Sequence, residues 1–212
     1  ERMPEDLKNA IVAIEDTKFY VHHGIDFWGI GRAMVNNIMK GDLLDQGAST
    51  ITQQLARNAF LTLDKTYFRK IQEAYLAIQF ERLYTKSEIL EMYLNEIFLG
   101  HSAYGVETAS LQYFGKSVED LTLAESALIA GLPQSPNNYT PLRYPERAIR
   151  RRNVVLDRMH DLGYITEAEM KKAKNAELNL GTVEESEDIA HYFTLYVRDQ
   201  LIDRFGASMV YN

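Results

Sequence analysis

The sequence predicts a mainly α-helical domain with a C-terminal extension. Apolar residues recur at three- and four-residue spacing along almost the whole chain, the period of a helix with one buried face. Three Thr-x-x-Glu pairs, Thr85 with Glu88, Thr122 with Glu125 and Thr166 with Glu169, have the spacing of a capping box at a helix start. No stretch shows strong strand alternation, and no internal repeat is present.

The elements follow in order. Pro4 suits a first helical position, and Leu7, Ile11 and Ile14 form a stripe that ends near Asp16. Asp26 is placed to cap a helix over 27–40 closed by Gly41, and Ser49 to cap one over 50–60. A long helix is expected over 66–84. Gly115, Gly131 and Gly163 each follow a periodic stretch and read as helix stops. The prolines and asparagines of "LPQSPNNYTP" predict a loop, and Pro145 opens a helix to about 162. "AELNLGTVEESEDI" turns polar and acidic and reads as a linker, followed by an amphipathic helix over 190–205. The expected division is residues 1–176 as the domain and 177–212 as linker and helix.

Composition narrows the function. With 212 residues and 46% of them hydrophobic, one sizeable core can form. A net charge of -7 argues against general nucleic-acid binding, which needs a basic surface. The absence of cysteine excludes disulfides and thiolate metal sites. The chain begins at Glu1 and has no run of about 18 apolar residues, so it is expected to be a piece of a longer chain whose anchor lies elsewhere.

Four stretches carry candidate chemistry. In "AIEDTKFYVHHG" the acids Glu15 and Asp16 sit where a helix ends, beside Phe19, His22 and His23. A helix C-terminus and partial burial by Phe19 both raise the pKa of Glu15, which suits a general base or acid. The alternative is a structural tie from the acids to His23 or to a lysine. "QGASTITQQLARN" enters a helix with Ser49, Thr50, Gln53 and Gln54 near free N–H groups, either an anion site or an ordinary serine cap. In "RKIQE", Arg69 and Lys70 share a face with Glu73, either as a surface ion pair or as part of a cationic patch with Arg57 and Lys65 able to hold a diphosphate. "KSEILEMYLN" reads as packing plus capping, and the basic run "RAIRRRNVVLDR" as a solvated helix face.

In this order the stretches resemble the peptidoglycan glycosyltransferases of family 51. "EDTKFYVHHG" is similar to E-D-x-x-F-x-x-H-x-G, with His22 as the spaced histidine and Gly24 as the closing glycine. "GASTITQQ", "RKIQE", "KSEILEMYLN" and "RRNVVL" resemble the four motifs that follow. The resemblance runs over roughly residues 4–175. It implies a lysozyme-like helical head with a smaller jaw facing the membrane, where Phe27, Trp28, Ile30, Met34, Ile38 and Met39 are candidate lipid-facing or lobe-packing residues. It implies polymerisation of lipid II with inversion, Glu15 as general base and Glu73 as a second acid that either orders the basic groups or binds a divalent ion, Mg²⁺ or Mn²⁺. Ser49, Thr50, Gln53 and Gln54 would line the donor, and Arg57, Lys65, Arg69 and Lys70 would meet its diphosphate. Lys65 stands where many relatives carry arginine. The expected partners are lipid II, the growing lipid-linked glycan, the membrane surface on the extracytoplasmic side and a transpeptidase domain in the full chain. No S-x-x-K acylation motif is present, so that second activity is not expected in these residues. A hydrolase on the same fold would use carboxylates too, but a sugar leaving group needs a proton donor, whereas a diphosphate needs cations. The cationic patch therefore favours transfer. A non-enzymatic wall-binding module would not need Glu15.

Overall fold

Leu123–Gly131, the most apolar helix among the described residues, lies at the centre of their packing. Its residues Ala124, Ser126, Ala127, Leu128, Ile129, Ala130 and Gly131 are all buried. A computed structural model describes residues 3–31, 49–60 and 67–181, which fall in one unit, Glu1–Gly181. Around the central helix pack the first helix, Glu5–Glu15, and the long helix Pro145–Asp161. Small residues along Leu123–Gly131 let both neighbours approach closely, as dense interior packing requires. A second group is formed by Ile51–Phe60, which lies against Tyr67–Leu83 and Lys86–Glu96. Val106–Phe114 and Glu167–Lys174 complete the core, where Leu7, Ile11, Ile51, Ile89, Leu94, Leu99, Leu128 and Ile129 are fully buried. The mainly α expectation holds: among the described residues strand pairing is confined to one bridge, Phe98 with Tyr104.

Local chemistry explains the boundaries. All three predicted capping boxes form, at Thr85, Thr122 and Thr166. Gly115 and Gly163 follow their helices with positive φ, as stops do. Gly131 does not act as a stop. It is the last residue of its helix, and Leu132 caps it in right-handed conformation. A Cβ at position 131 would lie 2.8 Å from Arg151 Cγ, so glycine is there to admit that side chain. The "LPQSPNNYTP" stretch contains a single helical turn, Pro136–Tyr139, because Pro136 suits a first helical position. Asp26 opens a helix as expected, with Ile30 N–H donating to its carbonyl, and residues 27–31 are helical. The continuation to 40, with Met34, Ile38, Met39 and Gly41, lies outside the described residues, as does the predicted helix 190–205. Residues 177–181 return to the helical unit: Leu178 and Leu180 pack against the core and Gly181 N–H donates to Tyr113 O at 2.9 Å.

Ser126 Oγ is buried in the central helix with no hydrogen-bond partner. A buried hydroxyl without a partner lowers stability relative to an apolar group of similar shape. Ser126→Ala is therefore expected to raise stability by about 1 kcal/mol, measured as the shift in chemical-denaturation midpoint at constant m-value.

Candidate active site

The first motif folds into a tight corner. Glu15 is the last helical residue and Asp16 caps the helix, its N–H donating to Val12 O. Asp16 Oδ2 accepts from His22 Nε2 at 2.8 Å and from the Ile51 N–H at 3.0 Å. The Gly24 N–H donates to His22 Nδ1 at 3.1 Å. An acceptor at Nδ1 leaves the ring proton on Nε2, so His22 is read as a neutral imidazole whose tautomer is set by both neighbours. The side chains of Asp16 and His22 are 5% and 6% exposed, so this pair is sealed from water. Asp16 thus ties to His22 rather than to His23, which is exposed. Phe19 packs edge-on against Tyr20 and His22, with Lys86 Nζ 4.6 Å from its ring centre. Gly24 has φ +88, and a Cβ there would meet Ala77 O at 2.8 Å, so only glycine closes the corner against the long helix.

The second motif docks on this corner through Asp16. The helix begins at Ile51, and its cap is Thr50 rather than the expected Ser49. Gln53 N–H donates to Thr50 Oγ1 at 3.1 Å and Thr50 N–H donates to Gln53 Oε1 at 3.0 Å, a capping box closed by glutamine. Thr50 Oγ1 also donates to Gly24 O at 2.6 Å. Thr50 and Gln53, expected beside the donor, are thus buried and engaged in joining the first two motifs. The next residue, Gln54, faces the other way. Its Nε2 donates to Glu15 Oε2 at 2.9 Å, and its Oε1 accepts from the buried Tyr93 hydroxyl at 3.2 Å. Burial holds the Tyr93 hydroxyl well above its ordinary pKa, so it stays a donor.

Glu15 is thereby aimed by a Tyr93–Gln54 relay. Burial raises its pKa above the ordinary glutamate range, while the Gln54 bond and the charges of Arg151 and Arg57 pull it part of the way back. The direction expected at this helix end is correct, and its main cause is desolvation. A carboxylate whose folded-state pKa is raised costs stability when the chain must give up its proton, so the penalty is absent below the ordinary glutamate pKa, grows as pH rises from there to the folded pKa, and is complete above it. Glu15→Gln is expected to raise Tm at pH 7, by about 2–4 °C for each kcal/mol relieved, and to leave it unchanged below about pH 4. Scanning calorimetry at both pH values checks this.

A second cluster forms where the long helix begins. Both Glu73 oxygens are taken up: Arg69 Nη1 donates to Oε1 and Lys70 Nζ donates to Oε2 at 2.8 Å. Glu73 is 1% exposed, while half the Lys70 side chain stays open to solvent. Lys70 Nζ also donates to Ser49 Oγ at 2.6 Å, joining the third motif to the second. Lys65 lies outside the described residues. With its carboxylate bound to two cations, Glu73 does not fit a divalent ion, and among the described residues no group of three His, Asp or Glu side chains is arranged to hold one.

Sequence reasoning missed three residues. Lys86 was read as part of a cap, yet its Nζ donates to His22 O and Glu81 Oε1, both at 2.7 Å, and Glu81 Oε1 also accepts from Thr52 Oγ1. Arg152 was read as part of a solvated face, yet it is 2% exposed and donates to Ala176 O and Lys174 O, closing the C-terminal end of Glu167–Lys174. Arg151, on the same run, is half-buried and bears on Glu15. The only signal for these residues was motif spelling, because a burial partner from a distant helix leaves no local pattern.

A mainly helical fold sets a desolvated glutamate beside the Gln54 amide and under the charges of Arg57 and Arg151, an arrangement suited to an enzyme that uses a carboxylate in proton transfer. The chain belongs to the transglycosylase family, whose model matches residues 1–160. It is 48% identical over 209 residues to penicillin-binding protein 1A of Escherichia coli (strain K12), an alignment covering 98% of this chain and 24% of that protein. It is 47% identical over 206 residues to penicillin-binding protein 1A of Aquifex aeolicus (strain VF5), covering 97% and 28%. The fold resembles the crystal structure of penicillin-binding protein 1A from Haemophilus influenzae, with a TM-score of 0.54 and 30% identity over 97% of this chain and 20% of that one. The chain thus spans about a quarter of the length of the relatives it matches.

Proposed function

We propose that this chain polymerises lipid II into β-1,4-linked glycan, with inversion at the donor anomeric carbon and release of polyprenyl diphosphate. The observation that carries the reading is Glu15: half-buried, raised in pKa, and aimed by Gln54 and Tyr93. Glu15 accepts the proton of the acceptor 4-hydroxyl as that oxygen attacks the anomeric carbon from the face opposite the diphosphate. The C–O bond to the acceptor forms as the bond to the diphosphate oxygen breaks, and the diphosphate leaves with the electron pair. Its growing charge is met by Arg57, Lys65, Arg69 and Lys70, with Ser49 and Gln54 at the edge of the donor site.

Glu73 is read as the group that organises the basic side chains. It neutralises part of two cations in the ground state and fixes their heads. Phe27 and Trp28 are 74% and 83% exposed. They support a membrane-facing lobe, since large apolar side chains on a surface mark an interaction site. No helix among the described residues is long and apolar enough to cross a membrane. The reading places the chain at the extracytoplasmic membrane surface, within a longer protein carrying a transpeptidase domain.

The test is incubation of the 212-residue chain with lipid II in detergent, followed by gel analysis and digestion of the product. Polymer susceptible to a β-1,4 muramidase, together with released polyprenyl diphosphate, is expected. Cleavage of preformed glycan without polymer would establish a hydrolase instead, and lipid binding without turnover a binding module.

A further inference from the structure

Two cations bear on Glu15, and they are held differently. Arg57, on Ile51–Phe60, makes a long 3.5 Å contact from Nε to Asn58 Oδ1. Arg151, on Pro145–Asp161, is locked. Its Nε donates to Gly131 O at 3.2 Å, and its guanidinium lies 5.9 Å from the Tyr139 ring centre, within cation–π range. Its Cγ occupies the space a Cβ at position 131 would need, at 2.8 Å. Two separate elements, the end of Leu123–Gly131 and the turn Pro136–Tyr139, therefore set where this guanidinium sits, and its two Nη groups have no hydrogen-bond partner among the described residues. Burial disfavours the charge on Arg151, and Glu15 is the largest influence restoring it.

We infer that Arg151 is a positioning residue for the transfer reaction: seated in the Gly131 notch and over Tyr139, it is the preset cation that serves the Glu15 carboxylate, while Arg57 follows the departing diphosphate. The inference rests on the reading of Glu15 as general base. A base buried enough to be reactive must still be ionised at working pH, and a fixed guanidinium supplies that without competing for the leaving group. The charged and titratable groups around Glu15 are Asp16 beside it, Arg57 on the second-motif helix, Tyr93 on Lys86–Glu96 and Arg151. Asp16 and Tyr93 do not lend it a positive charge. Arg151 is the member with a fixed seat.

Arg151→Met keeps length and removes the charge. It is expected to lower the polymerisation rate about tenfold near pH 6, with the loss narrowing to less than about threefold near pH 9, because more of Glu15 is protonated at the acid end. Arg151→Lys is expected to retain more of the acid-side rate than Arg151→Met, since it returns the charge without the Nε bond. A uniform loss at all pH values, or a lysine variant no better than methionine, would reduce Arg151 to a structural role. A second readout needs no turnover: ¹³C NMR titration of the side-chain carboxyls, with Glu15 assigned by its absence in Glu15→Gln. The Glu15 midpoint is expected to move up in Arg151→Met, and an unmoved midpoint overturns the inference even where the chain makes no polymer. If Arg151→Met does not fold, Gly131→Ala serves in its place: it displaces the side chain but keeps the charge, and a smaller upward shift in the same midpoint is expected. No shift there would overturn the inference.

Discussion

Glu15→Gln is expected to lower glycan polymerisation about 10²–10⁴-fold, with lipid II binding and fold intact. The substitution keeps the shape and an acceptor oxygen for Gln54, so the Tyr93–Gln54 relay still has a partner. What is lost is the basic lone pair that takes the 4-hydroxyl proton, and neither of the two nearest motif acids is free to replace it. Asp16 is sealed between His22 and the Ile51 N–H, and Glu73 is bound by Arg69 and Lys70. The measurement is product formation by gel from lipid II, with binding followed separately by a labelled lipid and folding by Tm. The variant is expected to melt higher than the parent at neutral pH, so inactivity cannot be confused with unfolding. In the parent chain the rate should fall as pH drops through the Glu15 pKa, at higher pH than an ordinary glutamate would produce, because that pKa is raised. Equal polymer from parent and variant would remove Glu15 from the mechanism and turn attention to Glu73.

Asp16→Ala is expected to be strongly destabilising, by about 2–5 kcal/mol, because each of two stranded buried donors costs about 1–3 kcal/mol. It strands the His22 Nε2 proton and the first N–H of the Ile51 helix, both buried. It also unties the first motif from the second. Asp16→Asn presents an oxygen to both donors and should cost about 1–2 kcal/mol. Urea denaturation of the three proteins checks the order. A small effect from alanine would mean that water enters the corner and satisfies both donors, and the sealed Asp16–His22 pair would then not be the tie between the motifs. His23→Ala, at an exposed position, is expected to leave stability within about 0.5 kcal/mol.

Helix positions were legible because their signals are local. A Thr-x-x-Glu box closes on its own backbone, and an apolar stripe needs only a core to face. The cap at Ile51–Phe60 was misassigned because Ser49 and Thr50 are both good caps, and the choice fell to Gln53, which closes a box only with Thr50. Gly131 was misread because helix stops and close-packing glycines look alike in sequence, and Arg151 comes from a helix 20 residues away in the chain. The basic run at 147–158 shows the same limit. Helical spacing alone cannot say which arginines face water, and Arg151 and Arg152 turned inward because Gly131 and the end of Glu167–Lys174 lie there to receive them.

By itself the sequence determined the helical class, the helix starts with closed capping boxes, the family and the identity of Glu15 as the acid to watch. These depend on residue type and spacing, which survive without a third dimension. Tertiary structure alone decided which motif residues surround the candidate base and which hold the others in place. Thr50, Gln53, Asp16, His22 and Lys86 form the frame, while Gln54, Arg57 and Arg151 bear on Glu15, the candidate base. The physical reason is desolvation: a carboxylate, an imidazole or a guanidinium takes its protonation and its role from the buried partners that distant segments bring to it.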